Sequence, residues 1–485
     1  MSDALDENQS LVAKVLTGLR WGLFLRFSAQ FVTWVITIIV VRYVSPPDYG
    51  LQAMLEAPMG MLMLGSTLGL DLALIQAEKV QDGHLRGIFG MLLLANGSLF
   101  LVYFFGAPLL AAFYREPRLI PIAEVMSFIF LLVPFRGIPN ALLDRKLDFK
   151  LRSQLEISAT LIASIATLVM AIAGMGVWAL VIGMVLNTAL AAVLLMVVTP
   201  WFVVPSFNFS GLGHHMRFGG TMTVAYILSG FGGRILILIA GPKLGSELTG
   251  YYVVAMQFAM LPMAKLMPIL QQIMFPAFSR LRDQTALATK YFSKSLGLVA
   301  GAVFPLVIGL SCVSSEFVQV VFGDKWLPII WPLAILALMM PIRMVTNLCI
   351  PFASGMGQPV VGMYSGLVMI VMLSIGAYAG VGWGISGLVA VWSVVIPVVA
   401  VLTVWHLHCV LDVSPSALIL SVSPATIASA VMAASVYAAK LAFAALPAHW
   451  LLLLECIVGA CSYYLVMRLG YADLLQEAKA LIWKK

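Results

Sequence analysis

The amino-acid sequence predicts an all-α polytopic membrane protein, and three observations lead to this fold class. Apolar residues fill 62% of the 485 positions, whereas only 10% of the residues are charged. Stretches of about twenty apolar residues, the length that spans a bilayer core as a helix, recur from Gly22 to Met467. The runs 161–170 and 391–404 are almost continuously apolar, whereas the strands of a membrane barrel alternate apolar and polar residues.

About fourteen transmembrane helices are expected, because the backbone in a bilayer core must satisfy its own hydrogen bonds. Their predicted ranges are 22–44, 51–70, 88–105, 119–138, 157–173, 178–198, 218–240, 251–273, 295–313, 328–350, 360–378, 384–407, 417–439 and 449–467. The longest connections, 199–217 and 274–294, are too short to bury a core of their own. No separate soluble domain is therefore expected between the spans.

The distribution of positive charge predicts the orientation of the chain. Lys and Arg are concentrated in the predicted loops on the same side as the N-terminus, a bias typical of cytoplasmic loops. Both termini are therefore expected in the cytoplasm. The net charge of +7 reflects this asymmetry and an attraction to anionic membrane lipids, and does not indicate nucleic-acid binding. The five cysteines lie in or beside apolar spans without metal-ligand spacing, so neither a metal site nor a cofactor is predicted.

The two halves of the sequence resemble each other, which indicates an internal duplication. Four residues of the first half recur in the second at one constant offset: Pro121, Pro134, Arg136 and Asn140 correspond to Pro328, Pro341, Arg343 and Asn347. An even number of spans per copy gives both copies the same orientation, and transporters of this kind bind substrate between the copies. We therefore expect two parallel-repeat six-helix bundles around a central cavity, plus two C-terminal helices.

This duplication predicts how the chain is divided. The expected parts are an N-terminal six-helix bundle over 1–198, a cytoplasmic linker over 199–217, a C-terminal six-helix bundle over 218–411, and an appended helix pair with a cytoplasmic tail over 412–485. Because one chain supplies both bundles, a monomer is expected.

Short polar motifs interrupt the apolar spans in a fixed order. They are Arg42–Gly50, Ala73–Gln76, Phe113–Pro117, Leu143–Phe149, Gly176–Leu180, Phe275–Arg280 and Phe322–Trp326. In this order and spacing, the motifs resemble the multidrug/oligosaccharidyl-lipid/polysaccharide (MOP) exporter superfamily, specifically its bacterial polysaccharide flippases (Wzx-like). The resemblance covers essentially the whole chain.

The resemblance implies a function in the bacterial inner membrane. It implies translocation of an undecaprenyl-pyrophosphate-linked oligosaccharide from the inner to the outer leaflet by alternating access, for exopolysaccharide, capsule or lipopolysaccharide synthesis. The partners that it implies are this lipid-linked oligosaccharide, the surrounding membrane lipids, and polysaccharide polymerase and chain-length machinery.

Basic residues inside the predicted spans are the candidates for binding an anionic cargo. Charged side chains at this depth are expensive and usually face the bundle interior. Arg suits phosphate because its planar fork carries two directed donors, whereas Lys supplies a point charge. We expect Arg26, Lys265 and Arg343 to load the pyrophosphate from the cytoplasm and Arg234 to receive it farther out. Arg26 and Arg343 lie nearer span ends, so an alternative is that they reach the lipid headgroups.

Two carboxylates lie in the opposite half of the predicted membrane. Glu56 and Glu124 could form a proton or cation relay that couples a gradient to transport. They could equally neutralise Arg234, and this ion pair is slightly favoured because it avoids a lone buried charge. No catalytic residue is predicted.

Two other functions compete with polysaccharide transport. A drug/cation antiporter of the same superfamily would share the fold, but the interior charge here is cationic, which favours an anionic cargo. A peptidoglycan-precursor flippase also moves a lipid pyrophosphate, and only the polysaccharide-type motifs favour oligosaccharide transport over it. A lipid-dependent enzyme would be expected to expose a polar loop with acidic or His residues. The predicted outward loops are short and lack paired carboxylates, so no enzymatic activity is expected.

Overall fold

A computed structural model provides the structure of the chain and describes residues 30, 32–67, 82–146, 148–199, 204–207 and 234–472. The chain divides into two compact units, Met1–Gly230 (unit 1) and Phe231–Lys485 (unit 2). Throughout the described residues the regular secondary structure is helical, which confirms the predicted all-α class.

Unit 1 contains seven described helices, five of them more than twenty residues long. They are α1 (Val32–Tyr43), α2 (Pro46–Ser66), α3 (Asp82–Phe105), α4 (Ala107–Tyr114), α5 (Leu119–Arg145), α6 (Phe149–Ile172) and α7 (Val177–Val198). The segment 204–207 packs on the start of α3, where the Ser206 N–H donates to the Arg86 carbonyl at 2.9 Å.

Among its described residues, unit 2 contains seven helices of more than twenty residues. They are α8 (Ile235–Ser279), α9 (Thr285–Cys312), α10 (Ile330–Gly355), α11 (Val360–Gly380), α12 (Gly384–Leu411), α13 (Pro415–Ala442) and α14 (Ala448–Gly470). Short helical turns over 314–329 join α9 to α10. Helix α8 is interrupted at Gly245, whose φ of 74° is a left-handed value that suits glycine.

The two units pack their helices in the same order, as a duplication requires. In unit 1, α5 packs against α3 and α7, and α6 packs against α7. In unit 2, α10 packs against α9 and α12, and α11 packs against α12. Helix α13 packs against α9, and α14 packs against α13. The appended pair therefore belongs to unit 2.

Most described spans agree with the predicted ranges, although several helices run beyond the apolar stretch. The described residues contain nine helical segments long and apolar enough to cross a membrane, one of which comprises α11 and α12 in tandem. These helices expose large apolar side chains, as expected of a surface in contact with lipid; examples are Met363, Ile375 and Val401. The chain is a multi-pass membrane protein. The predicted count of fourteen spans stays a prediction.

Two of the sequence motifs meet at a helix corner of unit 1. Ser45 precedes α2, and its hydroxyl donates to the Asp48 carboxylate at 2.5 Å. Gly176, before α7, has φ 55° and ψ −127°, a conformation that is favourable only for glycine. A Cβ at Gly176 would lie 3.0 Å from Oδ2 of Asp48. Both motifs therefore shape the corner between α2 and α7.

Candidate functional site

The predicted basic residues differ in what the structure describes of them. Arg26 lies outside the described residues, and Lys265 is described only as a backbone position of α8. Arg234 is half-buried and directly precedes α8, where its carbonyl accepts from the Ile237 and Leu238 N–H groups. Arg343 lies in α10 of unit 2 with a fully described environment.

Arg343 sits near the midpoint of α10. The helix continues to Gly355, five residues beyond the predicted span end at 350, so Arg343 is farther from the helix end than expected. The carbon of its guanidinium is 4.8 Å from the ring centroid of Trp392, which is within the range of a cation–π contact. Its Nη1 atom is enclosed and has no hydrogen-bond partner within the described structure. At least one strong donor of Arg343 is therefore left unsatisfied within the described structure.

The aromatic platform beneath Arg343 is held by two other helices. Trp392 is 2% exposed and lies on α12, which packs against α10. Its indole Nε1–H donates to the hydroxyl of Tyr252 on α8 at 2.7 Å. This bond fixes the plane of the indole, and the indole face in turn orients the guanidinium. Arg343, Trp392 and Tyr252 form a defined cluster, called the Arg343 site below.

No carboxylate of α10, α11 or α12 is present to compensate Arg343. The sequence contains no Asp or Glu between Asp324 and Asp412, a stretch that includes α10, α11 and α12. No ion pair of Arg343 occurs in the described structure. A buried cation usually has a partner. An anionic ligand would supply the missing charge.

The repeat-related Arg136 has the opposite environment. Its Nη2 lies 3.3 Å from Oε1 of Glu156 on α6. Arg152 donates to Asp144, and its Nε is 3.7 Å from the same Glu156 oxygen. The amide of Asn140 also donates to Glu156, at 3.4 Å. Two cations, Arg136 and Arg152, and two carboxylates, Asp144 and Glu156, therefore balance each other.

The two predicted carboxylates lie on different helices of unit 1. Glu56 is a half-buried residue of α2 and accepts a hydrogen bond from the Gln52 amide at 2.6 Å. Glu124 is a half-buried residue of α5, and its backbone carbonyl accepts from the Ser127 hydroxyl at 2.6 Å. Their predicted pairing with Arg234 and their predicted role as a relay remain predictions.

Three residues that matter for these sites were not identified from the sequence. Trp392 and Tyr252 lie in continuous apolar stretches, where neither periodicity nor charge distinguishes them. Glu156 directly precedes the predicted span 157–173 and was not included in it. The usable signal was the repeat itself, because Arg136 and Arg343 occupy equivalent positions and only the first has nearby carboxylates in the sequence.

Fold and site together define a multi-pass helical membrane protein with two similarly packed units and an uncompensated arginine in the second. Residues 39–331, more than half of the chain, match the family described as "Polysaccharide biosynthesis protein". The chain belongs to this family.

Curated relatives have the same biosynthetic context. The chain is 27% identical to the teichuronic acid biosynthesis protein TuaB of Bacillus subtilis (strain 168) over 58% of each chain. It is 26% identical to the lipopolysaccharide biosynthesis protein WzxC of Escherichia coli (strain K12), over 70% of this chain and 69% of that one. It is 23% identical to the succinoglycan biosynthesis transport protein ExoT of Rhizobium meliloti (strain 1021), over 71% and 69%. The chain thus spans less than two thirds of TuaB and about seven tenths of the other two.

Solved structures share the fold. The lipid II flippase MurJ, in an inward closed conformation, superposes with a TM-score of 0.78 at 13% identity and covers 94% of this chain and 99% of its own. An inward-facing MATE-family multidrug resistance transporter of the MOP superfamily superposes at 0.63 with 14% identity, covering 79% and 94%. These similarities confirm the predicted fold, and the family match and the curated relatives confirm the resemblance to polysaccharide transport proteins.

Proposed function

We propose that this protein translocates an undecaprenyl-pyrophosphate-linked oligosaccharide across the bacterial inner membrane by alternating access, with Arg343 as a binding residue for the anionic headgroup. The family and its relatives in teichuronic acid, lipopolysaccharide and succinoglycan synthesis support this context. The observation that carries the proposal is the uncompensated guanidinium of Arg343. The chain makes and breaks no bond in this role.

The geometry of the Arg343 site suits a phosphate group. A guanidinium stacked on an indole keeps its edge free for two parallel hydrogen bonds to phosphate oxygens. Trp392 and Tyr252 are 2% and 4% exposed, so their role in this site is to hold the guanidinium in place. We extend the headgroup site to Arg26, Arg234 and Lys265. We keep Glu56 and Glu124 as ion-pair partners of Arg234 or as a proton or cation relay.

The remaining features of the proposal follow from the sequence. Both termini would face the cytoplasm, as the distribution of Lys and Arg indicates. The protein would act as a monomer and hand its cargo to polymerase and chain-length machinery.

The test compares two arginines that occupy the same position of the repeat. Full-length Arg343→Met and Arg136→Met proteins are reconstituted in liposomes with a fluorescent undecaprenyl-pyrophosphate oligosaccharide, and leaflet accessibility is followed over time. A lost charge-assisted hydrogen bond contributes about 1.5–3 kcal/mol, so Arg343→Met should lower the transport efficiency roughly tenfold to a hundredfold. Arg136→Met should change it by less than about threefold, since surface ion pairs contribute little.

Wild-type transport by Arg343→Met at equal protein levels would reject the assignment of Arg343. The same assay, run with other cargoes, distinguishes two related functions from the proposed one. Faster movement of lipid II than of the oligosaccharide lipid would favour a peptidoglycan-precursor flippase, a reading that the fold similarity to MurJ makes worth testing. Transport of a cationic dye alone would favour a drug antiporter.

A further inference from the structure

A second cluster of charged residues lies in unit 2, away from the Arg343 site. Glu455 is on α14, in the appended helix pair, and its residue is 0% exposed. Both of its carboxyl oxygens are enclosed without a hydrogen-bond partner within the described structure. An ionised carboxylate in such surroundings would be very unfavourable. The environment of Glu455 therefore requires explanation.

The neighbouring cation is already engaged elsewhere. Lys440 on α13 places its ammonium 2.8 Å from Oε1 and 2.9 Å from Oε2 of Glu316. The same ammonium donates to the Ser315 hydroxyl at 2.6 Å, and this hydroxyl donates to Oε2 of Glu316, also at 2.6 Å. All three N–H groups of Lys440 thus have acceptors. Glu316 and Lys440 neutralise each other and leave nothing for Glu455.

The charged and titratable groups that act on Glu455 come from each element that packs against α14. Lys440 comes from α13, Glu316 from the one-turn helix Ser314–Phe317, and Cys312 from the end of α9. Cys456 is its neighbour on α14. Val313, Met432 and Val436 form an apolar core next to this cluster. The only cation in this group is Lys440.

We propose that Glu455 is a proton-binding site and that the ammonium of Lys440 is its alternative partner. In one state Glu455 holds the proton while Lys440 pairs with the Glu316 carboxylate. In the other state the ammonium pairs with the Glu455 carboxylate, and the proton released by Glu455 neutralises Glu316. Two carboxyls, one ammonium and one shared proton sum to zero charge in both states, so neither state leaves an uncompensated buried charge.

A proton fits this site better than an alkali cation. Such a cation would need several oxygen ligands, whereas the Glu316 oxygens are occupied by Lys440 and the other neighbours are thiols and apolar side chains. The ammonium of Lys440, which acts electrostatically on Glu455, would also repel a second cation bound there. The four-carbon stem of Lys is flexible enough to exchange partners within a small volume.

The two carboxyls, those of Glu455 and Glu316, differ in their exposure. Glu455 on α14 is fully buried, whereas Glu316 lies in the connection between α9 and α10 and is 6% exposed. A proton could therefore pass between the connection and the helix pair through this exchange. The inference that this proton transfer drives transport rests on the proposed function. The inference that Glu455 binds a proton does not.

The experiment detects the protonated carboxyl directly. Full-length protein in lipid nanodiscs is titrated from acid to alkaline pH by infrared difference spectroscopy, which reports the carbonyl stretch of a protonated buried carboxyl. The band should be present in the wild-type protein at neutral pH and absent in Glu455→Gln, an isosteric change that keeps the shape of the neutral acid. Glu247→Gln, which removes an exposed carboxylate of α8, should retain it.

Glu316→Gln tests the exchange itself. Because this change releases Lys440, the ammonium should turn to Glu455 and remove the band at neutral pH although Glu455 is intact. If Glu455→Gln fails to fold, Glu455→Asp should move the band instead of abolishing it. A wild-type band that persists unshifted in Glu455→Gln or in Glu455→Asp would overturn the proton site, and a band unchanged in Glu316→Gln would overturn the exchange. Loss of the wild-type band on replacing choline chloride by sodium chloride at constant pH would instead assign the site to an alkali cation.

A transport arm distinguishes this inference from the proposed function. Wild-type transport of the oligosaccharide lipid should depend on an imposed pH gradient, and Glu455→Gln should lose that dependence. If the wild-type protein moves no oligosaccharide lipid, the proposed function fails while the infrared result still decides the proton site.

Discussion

Removing Lys440 should destabilise the protein in a way that depends on pH. The change Lys440→Met deprives Glu316, whose side chain is 8% exposed, of both contacts to the ammonium. Glu316 then has two options, an uncompensated charge or a proton. Holding a proton on a carboxyl whose ordinary pKa is 4.5 costs about 3.4 kcal/mol at pH 7 and about 1.4 kcal/mol at pH 5.5. These values cap the loss of stability from this pair.

In the wild-type protein, the contribution of Glu316 to stability does not change over the same pH range. Burial disfavours the charged form, but hydrogen bonds from Lys440 and Ser315 outweigh this effect and lower the pKa of Glu316 below 4.5. A lowered carboxyl pKa contributes stability that is lost only as the pH falls through the folded-state value. Glu316 therefore contributes constant stability from pH 7 to pH 5.5, and the difference between wild type and variant should shrink as the pH falls.

The assay is thermal unfolding in detergent or nanodiscs, followed by tryptophan fluorescence. For a unit of about 250 residues such as unit 2, 1 kcal/mol shifts Tm by about 2–4 °C, so Lys440→Met should lower Tm by at most about 7–14 °C at pH 7 and at most about 3–6 °C at pH 5.5. Arg136→Met is the matched control, since the side chains of Arg136 and Glu156 are 41% and 30% exposed and such pairs contribute about 0.2–1 kcal/mol. The reasoning is refuted if Lys440→Met shifts Tm no more than Arg136→Met, or by the same amount at both pH values.

Two further predictions concern close backbone contacts. A Cβ at Gly387 would lie 1.8 Å from the Gly380 carbonyl oxygen, so Gly387→Ala should force α11 and α12 apart and cost about 1–3 kcal/mol or more. Gly366→Ala on α11 meets nothing within 4 Å and should not lower Tm; equal Tm values for these two variants would contradict the reasoning. In unit 1, Gly176→Ala should cost about 2–3 kcal/mol because it combines a glycine-only conformation with the Asp48 contact. Gly174→Ala, which has a positive φ but open space, should cost about 1–2 kcal/mol, and chemical denaturation that ranks them in reverse order would refute this.

Hydropathy predicted most described spans but ended several of them too early. The span 119–138 continues as α5 to Arg145, because polar residues at its end remain helical and pair with α6. Hydropathy registers the loss of apolar character there, whereas the backbone continues as long as hydrogen bonds and side-chain partners are available. The same difference occurs at 241–250, where a loop between two spans was predicted. The structure has a helix with a single break at Gly245.

The candidate sites were predictable only in part. Arg343 stands out in the sequence because a charge in an apolar span is rare. Its platform does not, since Trp392 is one aromatic residue among many and Tyr252 is 140 positions away from it along the chain. The Glu316–Lys440 pair joins residues 124 positions apart, and the sequence analysis considered neither Glu316 nor its contact. Contacts over such separations depend on how helices pack, which spacing alone does not determine.

The corner formed by Asp48 and Gly176 bears on how members of this family should be compared. These residues belong to motifs by which the chain is recognised, yet what they secure is a bend in the scaffold. A family relationship inferred from these positions will therefore group proteins that share one fold, whatever sugar they carry. Selectivity for a particular glycan should instead be sought by swapping interior side chains between relatives while leaving the bends untouched.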